Sequence, residues 1–263
     1  MSKHQLIVTT VVLLVAGVLF ATISLRQEAQ TTRPQSEAAT VVQRGLVTEK
    51  DREYGKEFKK LYPTRDARKF AEIIEEHDRG GKDAENISGF LGEHETIYLP
   101  GTPKETLDGF LNRLACRSDA VVLGVVKNKS SHVTEDDTLI YTTNQFLVQS
   151  IFKNNPTSPF QTSGVIEVAR SGGIVQIDKH RIKIDDYSYE PLKIGNRYLL
   201  FLRFVPGAEG YVATSPEGDF MLDGDLYRKL ARRPVPEDLE GENDSRKLTD
   251  NVSAAIKTGC KKN

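Results

Sequence analysis

Histidine and carboxylate side chains stand close together in two polar segments of this 263-residue sequence. One segment contains His132, Glu135 and Asp136 in a predicted hairpin loop, and the other contains His180 among neighbouring aspartates. Imidazole and carboxylate groups are ligands for divalent cations, so each segment is a candidate metal site. Solvated loop charge explains the same pattern, and we predict neither a metal nor another cofactor.

Motifs of the common enzyme classes are absent from the sequence. His94-Glu95 does not continue into the HExxH zinc motif, and residues 169–173 lack the first glycine of a G-x-S-x-G nucleophile turn. Gly80-Gly81-Lys82 lacks the other residues of a phosphate-binding loop and is typical of a helix end. His77 extends the apolar face of a predicted helix, so we interpret it as a packed residue. We predict no catalytic residues.

Cys116 and Cys260 are the two cysteines of the chain, and they stand on either side of its strand-rich part. Such a pair can form a disulfide in an oxidising compartment. The bridge would close a loop of about 140 residues and stabilise the fold by about 4–5 kcal/mol in the chain-entropy model. The alternative is two unrelated thiols, so the predicted disulfide depends on export.

Residues 6–25 form a run of 20 residues without a charged side chain. A helix of that length is about 30 Å long, which matches the hydrocarbon core of a bilayer. Lys3 favours a cytoplasmic N-terminus, although Arg26 and Arg33 weaken that bias. The alternative is a cleaved signal peptide, whose apolar stretch is normally shorter and ends in small residues. We predict an uncleaved membrane anchor and an extracytoplasmic, periplasmic or extracellular, C-terminal domain.

Helix signals flank a strand-rich centre. The pattern predicts a helix from Thr64 to His77, a helix that begins at the capping box of Thr102-Pro103-Lys104-Glu105, and a last helix that ends at Gly259. Strand candidates are residues 120–126, 139–152, 165–169, 174–177, 181–184 and 198–205, followed by a hairpin around Asp223-Gly224. So many short strands without helices between them indicate an antiparallel sandwich or a small closed barrel.

Composition and pattern together divide the chain into five regions. We predict an anchor or signal peptide at 1–25, a polar tether at 26–48, a helical region at 49–117, a β-barrel domain at 118–230, and a loop with a C-terminal helix at 231–263. The predicted fold class is mainly β with flanking helices (α+β), preceded by one transmembrane helix.

Four segments carry a resemblance to a known group of proteins: SDAVVLGVV from Ser118, FLVQSIFKN from Phe146, VIEVARSGG from Val165 and IGNRYLLFL from Ile194. They resemble uncharacterised exported bacterial proteins with a small OB-like, netrin-like β-barrel, over roughly residues 118–213. The resemblance implies this fold and an envelope location, and it implies no catalytic residues. The cysteine pattern of inhibitor-type netrin domains is missing, so an inhibitory function does not carry over.

Charge argues against a nucleic-acid partner, because 36 basic and 37 acidic residues leave a net charge of −1. The basic stretch at 179–183, with Tyr187 and Tyr189 nearby, is interrupted by Asp185 and Asp186. We therefore expect a single-pass envelope protein that binds a ligand or another envelope protein without catalysis. The alternatives are an envelope hydrolase or metal-dependent enzyme using His132 or His180, and a secreted soluble protein after signal cleavage.

Overall fold

The structure, a computed structural model, describes residues 40–41, 47–61, 68–80, 86–91, 105–232 and 243–260. In these ranges no helix is long and apolar enough to cross a membrane. The predicted anchor at residues 6–25 and most of the predicted tether lie outside the described residues.

The described chain is mainly β with helices on its outside, which confirms the predicted α+β class. The helices are α1 (Glu49–Leu61), α2 (Phe70–Arg79), α3 (Leu107–Arg117) and α4 (Ser245–Thr258). The strands are β1 (Thr40–Val41), β2 (Asn86–Leu91), β3 (Ala120–Val133), β4 (Ile140–Lys153), β5 (Val165–Ser171), β6 (Gly173–Ile177), β7 (His180–Asp186), β8 (Arg197–Val205), β9 (Gly210–Ala213), β10 (Phe220–Asp223), β11 (Leu226–Lys229) and β12 (Asn243–Asp244).

Five strands pair in a closed ring, in the order β8-β3-β4-β5-β9 and back to β8. The edge of β8 that faces away from β3 has two partners. Residues 197–199 pair with β10, and residues 202–205 pair with β9. Strands β10, β11 and β12 therefore extend the sheet beyond the ring. The sequence predicted a small antiparallel barrel or sandwich, and the ring departs from this in one pairing, because β5 and β9 run parallel. Strand β9 has four residues, too few to show a clear local pattern, and it pairs with both β8 and the distant β5.

Strand β3 has two neighbours in the ring. It pairs with β4 along its length and with β8 over Ala120–Val125. Its register with β4 shifts at three places, one of them between Leu123 and Gly124. Such bulges bend a strand and increase its twist. At Gly124 a Cβ atom would lie 2.2 Å from the Leu147 carbonyl oxygen. Glycine is therefore required where β3 bends against β4.

The first half of β3, residues 120–126, and most of β8 are buried on both faces. Alternate residues such as Val122 and Leu200 point into the ring, where they pack with Phe146. The intervening residues, such as Val121 and Phe201, pack against α3 and α4. Burial on both faces explains why these strands are continuous apolar runs in the sequence rather than alternating ones.

A second sheet of four strands, β1-β6-β7-β2, lies beside the ring. The outer strands β1 and β2 each run parallel to their partners. Both correct the sequence prediction, because β1 falls in the predicted tether and β2 in the predicted helical region. A parallel strand pairs only with distant residues, so short segments such as these carry little local signal.

The helix starts also differ from the prediction. Helix α2 begins at Phe70 rather than after Thr64, and α3 begins at Leu107 rather than at the Thr102 capping box. The side chain of Thr106 caps α3 by accepting a hydrogen bond from Gly109 N at 3.2 Å. The residues of the predicted starts, Thr64 and Thr102, lie outside the described residues. The predicted helix ends at Gly80 and Gly259 are confirmed.

The predicted disulfide is confirmed: Cys116 at the end of α3 is bonded to Cys260 after α4, with their Cα atoms 5.4 Å apart. Helices α3 and α4 pack side by side on the outer face of the ring, where Leu111, Leu114 and Leu248 are buried. The amide of Asn112 donates hydrogen bonds to the carbonyl oxygens of Ala255 and Gly259, at 3.3 and 3.4 Å. The bridge and this amide hold the end of α4 against α3.

Removal of the disulfide should destabilise the protein. Its two cysteines are separated by 144 positions, so the chain-entropy model gives a stabilisation of about 5 kcal/mol. We expect the C116S/C260S variant to lose most of that free energy of unfolding in urea, and wild-type protein under reducing conditions to match it. Equal midpoints for the oxidised wild type and the variant would contradict the expectation.

Candidate functional site

His132 lies next to the last residue of β3 and contacts aromatic and polar neighbours. Its ring stacks on Tyr141, with centroids 5.0 Å apart and planes 16° from parallel. Its Nε2 lies 3.1 Å from Thr143 Oγ1, and its Nδ1 lies 3.7 Å from Asp51 Oδ1. Burial lowers the pKa of His132 below its usual 6.5, although Asp51 favours the charged form. The imidazole is therefore a neutral, packed group at physiological pH.

Asp51 has a structural role, because both of its carboxylate oxygens are already used. One oxygen accepts hydrogen bonds from the backbone N and Oγ1 of Thr48, each at 2.6 Å. Thr48 Oγ1 accepts from Asp51 N in return, so the two residues form a capping box at the start of α1. The other oxygen accepts a hydrogen bond from the Tyr141 hydroxyl. The cluster of Asp51, His132 and Tyr141 thus fastens α1 to β4.

The acidic residues of the β3–β4 loop do not join His132. Glu135 pairs with Arg52 at 3.0 Å, and Asp136 pairs with Lys59 at 2.6 Å. These ion pairs tie the loop to α1. The structure therefore does not bring His132, Glu135 and Asp136 together as a set of metal ligands.

A second polar cluster is enclosed between the ring and its neighbouring segments. Arg170 on β5 forms an ion pair with Asp219, and both side chains are at most 3% exposed. The guanidinium also lies over the Tyr189 ring, 3.9 Å from its centroid. Burial raises the pKa of Asp219 to about 6, against the opposing effect of Arg170. Because Tyr189 is covered by Arg170, its ring is not exposed for stacking on a nucleic-acid base.

Ser171 lies beside this ion pair, among hydroxyl and carboxylate groups. Its hydroxyl donates to Asp186 and lies 2.6 Å from the Tyr189 hydroxyl. Asp186 also accepts a hydrogen bond from Ser188 N at 2.7 Å. All of these groups are buried, so we assign the cluster to the interior of the fold.

His180 begins β7 and lies against the end of α2, where it meets His77 and Asp78. The two imidazole rings are 5.9 Å apart in an edge-to-face arrangement. Asp78 Oδ1 lies 3.3 Å from His180 Nε2 and 3.3 Å from Lys179 Nζ. Burial favours the neutral form of Asp78, but Lys179 and His180 outweigh it and lower the pKa of the carboxyl group. The carboxylate is therefore charged at neutral pH.

Among the residues that the structure describes, His77, Asp78 and His180 are the group whose ligand atoms are close enough to hold a metal ion. The sequence singled out His180 but interpreted His77 as a packed residue, and it gave no role to Asp78. No local sequence pattern reveals this group, because α2 and β7 are about 100 positions apart in the chain and meet only in the folded protein. Asp185 is not part of the group and pairs with Lys183 at 2.7 Å.

A polar cleft of about 360 Å³ lies between α4 and the β10–β11 hairpin. It is lined by residues of both charges, among them Arg197, Asp225, Arg246 and Asp250. Asp225 and Arg246 face each other at 3.7 Å, with both side chains largely exposed. The cleft is thus lined by oppositely charged residues and by apolar residues that include Leu123 and Leu222.

Comparison with known proteins finds no protein-family model and no curated protein that matches this chain.

The lowered pKa of His132 predicts a pH-dependent contribution to stability. The unfolded histidine takes up a proton as the pH falls below 6.5, whereas the folded one resists it. The free energy of unfolding of the wild type should therefore decrease relative to that of H132Q as the pH falls from about 7 to about 5. Urea titrations across this range measure the difference, and parallel pH profiles would contradict the assignment.

The buried ion pair predicts a non-additive pair of substitutions. R170M leaves the Asp219 carboxyl group buried without its partner and should cost about 3–5 kcal/mol of unfolding free energy. The double variant R170M/D219N carries a neutral amide there and should be more stable than R170M. With the single variant D219N measured as well, losses of R170M and D219N that add up to that of the double variant would show that the charges are not coupled.

Proposed function

We propose that this chain is a single-pass, membrane-anchored extracytoplasmic protein whose folded part is a non-catalytic binding module of the cell envelope. The disulfide between Cys116 and Cys260 is the observation that carries the proposal. Structural disulfides persist in oxidising compartments and are rare in the cytosol. The uncharged run at residues 6–25 supplies a route to such a compartment.

The barrel supports an OB-type assignment. Its first three ring strands, β3, β4 and β5, form a meander, and the fifth ring strand β9 lies between β5 and β8. OB folds are five-stranded Greek-key barrels that bind ligands through a strand face and adjoining loops. Here α1 packs Tyr54 and Phe58 against Ala208 beside the barrel, so the helix covers part of that surface. The open polar cleft beside α4 is the surface that we assign to a partner or ligand.

A non-catalytic role is supported by how the polar side chains are used. The cluster around His132 caps and fastens α1, and Arg170, Asp219 and Ser171 are enclosed. The alternative is an envelope hydrolase or metal-dependent enzyme. Of the two segments that the sequence singled out, the one with His180 supports it, because a second histidine and a carboxylate lie beside His180.

Membrane topology tests the proposal directly. The full chain with a C-terminal epitope should be digested by protease added outside the inner membrane, while a cytoplasmic marker stays protected. Two arginines in the apolar run, V15R/L19R, should release the chain from the membrane, because each buried charge costs about 2.5–3.5 kcal/mol of insertion free energy. The matched V15L/L19I variant should remain anchored.

Two outcomes would change the proposal. Protection of the C-terminal epitope from protease that has access to the outer side of the inner membrane would contradict an extracytoplasmic domain. A mature N-terminus within or just after residues 6–25, found by N-terminal sequencing, would show the secreted soluble form instead of the anchored one.

A further inference from the structure

The side chains of His77 and His180 belong to two elements that are fixed by packing. Helix α2 buries Phe70 and Ile74 in the same core as Ile177, the last residue of β6, and Ile182 of β7. Asp178 in that turn has a positive φ of 52°, as a tight hairpin connection requires. The end of α2 and the start of β7 are therefore held together by apolar contacts, independently of the polar group between them.

The buried histidine nitrogens between these two elements have no hydrogen-bond partner in the described residues. His180 is only 3% exposed, yet neither of its ring nitrogens has a hydrogen-bond partner. Nδ1 of His77 is also buried and unpartnered. The contact of His180 Nε2 with Asp78 is close enough for an ion pair, but it is too poorly aligned for a hydrogen bond.

Unpartnered buried nitrogens are costly and uncommon in folded proteins. Each typically costs about 1–3 kcal/mol, and the exceptions point to a bound water or ion. Of the six buried side-chain atoms without a partner in the described residues, three are nitrogens of these two histidines. Because these three nitrogens lie close together, we expect them to bind one water molecule or ion that can bond to several atoms at once.

We propose that His77, Asp78 and His180 bind one divalent metal ion of the zinc class, through two imidazole nitrogens and one carboxylate oxygen. Their ligand atoms lie within 4.8 Å of one another. Ligands around a tetrahedral zinc ion are separated by about 3.3 Å, which is the distance already found between Asp78 Oδ1 and His180 Nε2. A nitrogen of His77 would therefore approach the other two ligand atoms by up to about 1.5 Å.

The donor set selects the type of ion. Imidazole nitrogens favour zinc and its transition-metal neighbours, whereas magnesium prefers six oxygen ligands. Three protein ligands leave a fourth position for water, on the side where Asp78 is exposed to solvent. The ion would join the end of α2 to the β6–β7 hairpin, and this inference goes beyond the proposed function and does not depend on the membrane anchor.

Lys179 competes with the ion for Asp78. Its ammonium group lies 3.3 Å from the same carboxylate oxygen, and its side chain is 69% exposed. Exposed ion pairs of this kind are weak, so the lysine can move away when a divalent cation enters. Removal of the lysine charge should therefore strengthen metal binding, whereas removal of a ligand should weaken it.

Zinc titration of the full chain tests the proposal. Untagged protein is purified in detergent, stripped with a chelator and titrated with Zn²⁺ by calorimetry, with Mg²⁺ as the comparison ion. We expect one Zn²⁺ per chain, a rise in melting temperature with zinc, and no response to Mg²⁺. The variants H77A, D78N and H180Q should bind at least about 10-fold more weakly, and K179Q should bind about two- to fivefold more tightly.

The control variant is H132A, which removes another half-buried histidine and should keep the wild-type affinity. Because His180 is buried, the melting temperature of each variant without zinc confirms that it is folded, and the exposed D78N tests the site without that risk. The proposal is overturned if the wild type takes up no zinc. It is also overturned if zinc affinity is unchanged in D78N and H77A, or if H132A abolishes binding.

Discussion

The bend of β3 at Gly124 is the constraint on which the rest of the structure depends. A side chain at this position would collide with the Leu147 carbonyl group, so glycine lets β3 follow β4 and still reach β8. That double pairing closes the ring and turns both faces of β3 and β8 into buried surfaces. The outer face then needs a cover, which α3 and α4 provide and which the disulfide holds in place.

Polar groups in this fold are used mainly to attach helices and loops to the barrel. The capping box of Thr48 and Asp51 shares its carboxylate with Tyr141, so one group both starts α1 and joins it to β4. The enclosed pair of Arg170 and Asp219 has a similar internal role. His180 differs from them because both of its ring nitrogens are buried without a hydrogen-bond partner in the described residues, and a nitrogen of His77 beside it is too.

Strands with a strong apolar pattern were predictable, and strands that depend on distant partners were not. The long strands β3, β4 and β8 appear in the sequence as apolar, β-branched runs, and their bounds agree with the structure to within a few residues except at the end of β3. Strands β1, β2 and β9 are short and join the sheets partly through parallel pairs. Their parallel partners lie far along the chain, and local composition does not describe such pairing.

By itself the sequence determined the strand-rich centre, the ends of α2 and α4, and the two cysteines that can be joined in an oxidising compartment. These features follow from local periodicity, helix capping and residue count, which act over a few positions. Only the tertiary structure decided that β5 and β9 run parallel, that Asp136 pairs with Lys59 rather than with His132, and that His180 lies beside His77. Each of these contacts joins residues that are distant in the chain, so it exists only once the barrel has closed and the helices have packed on it.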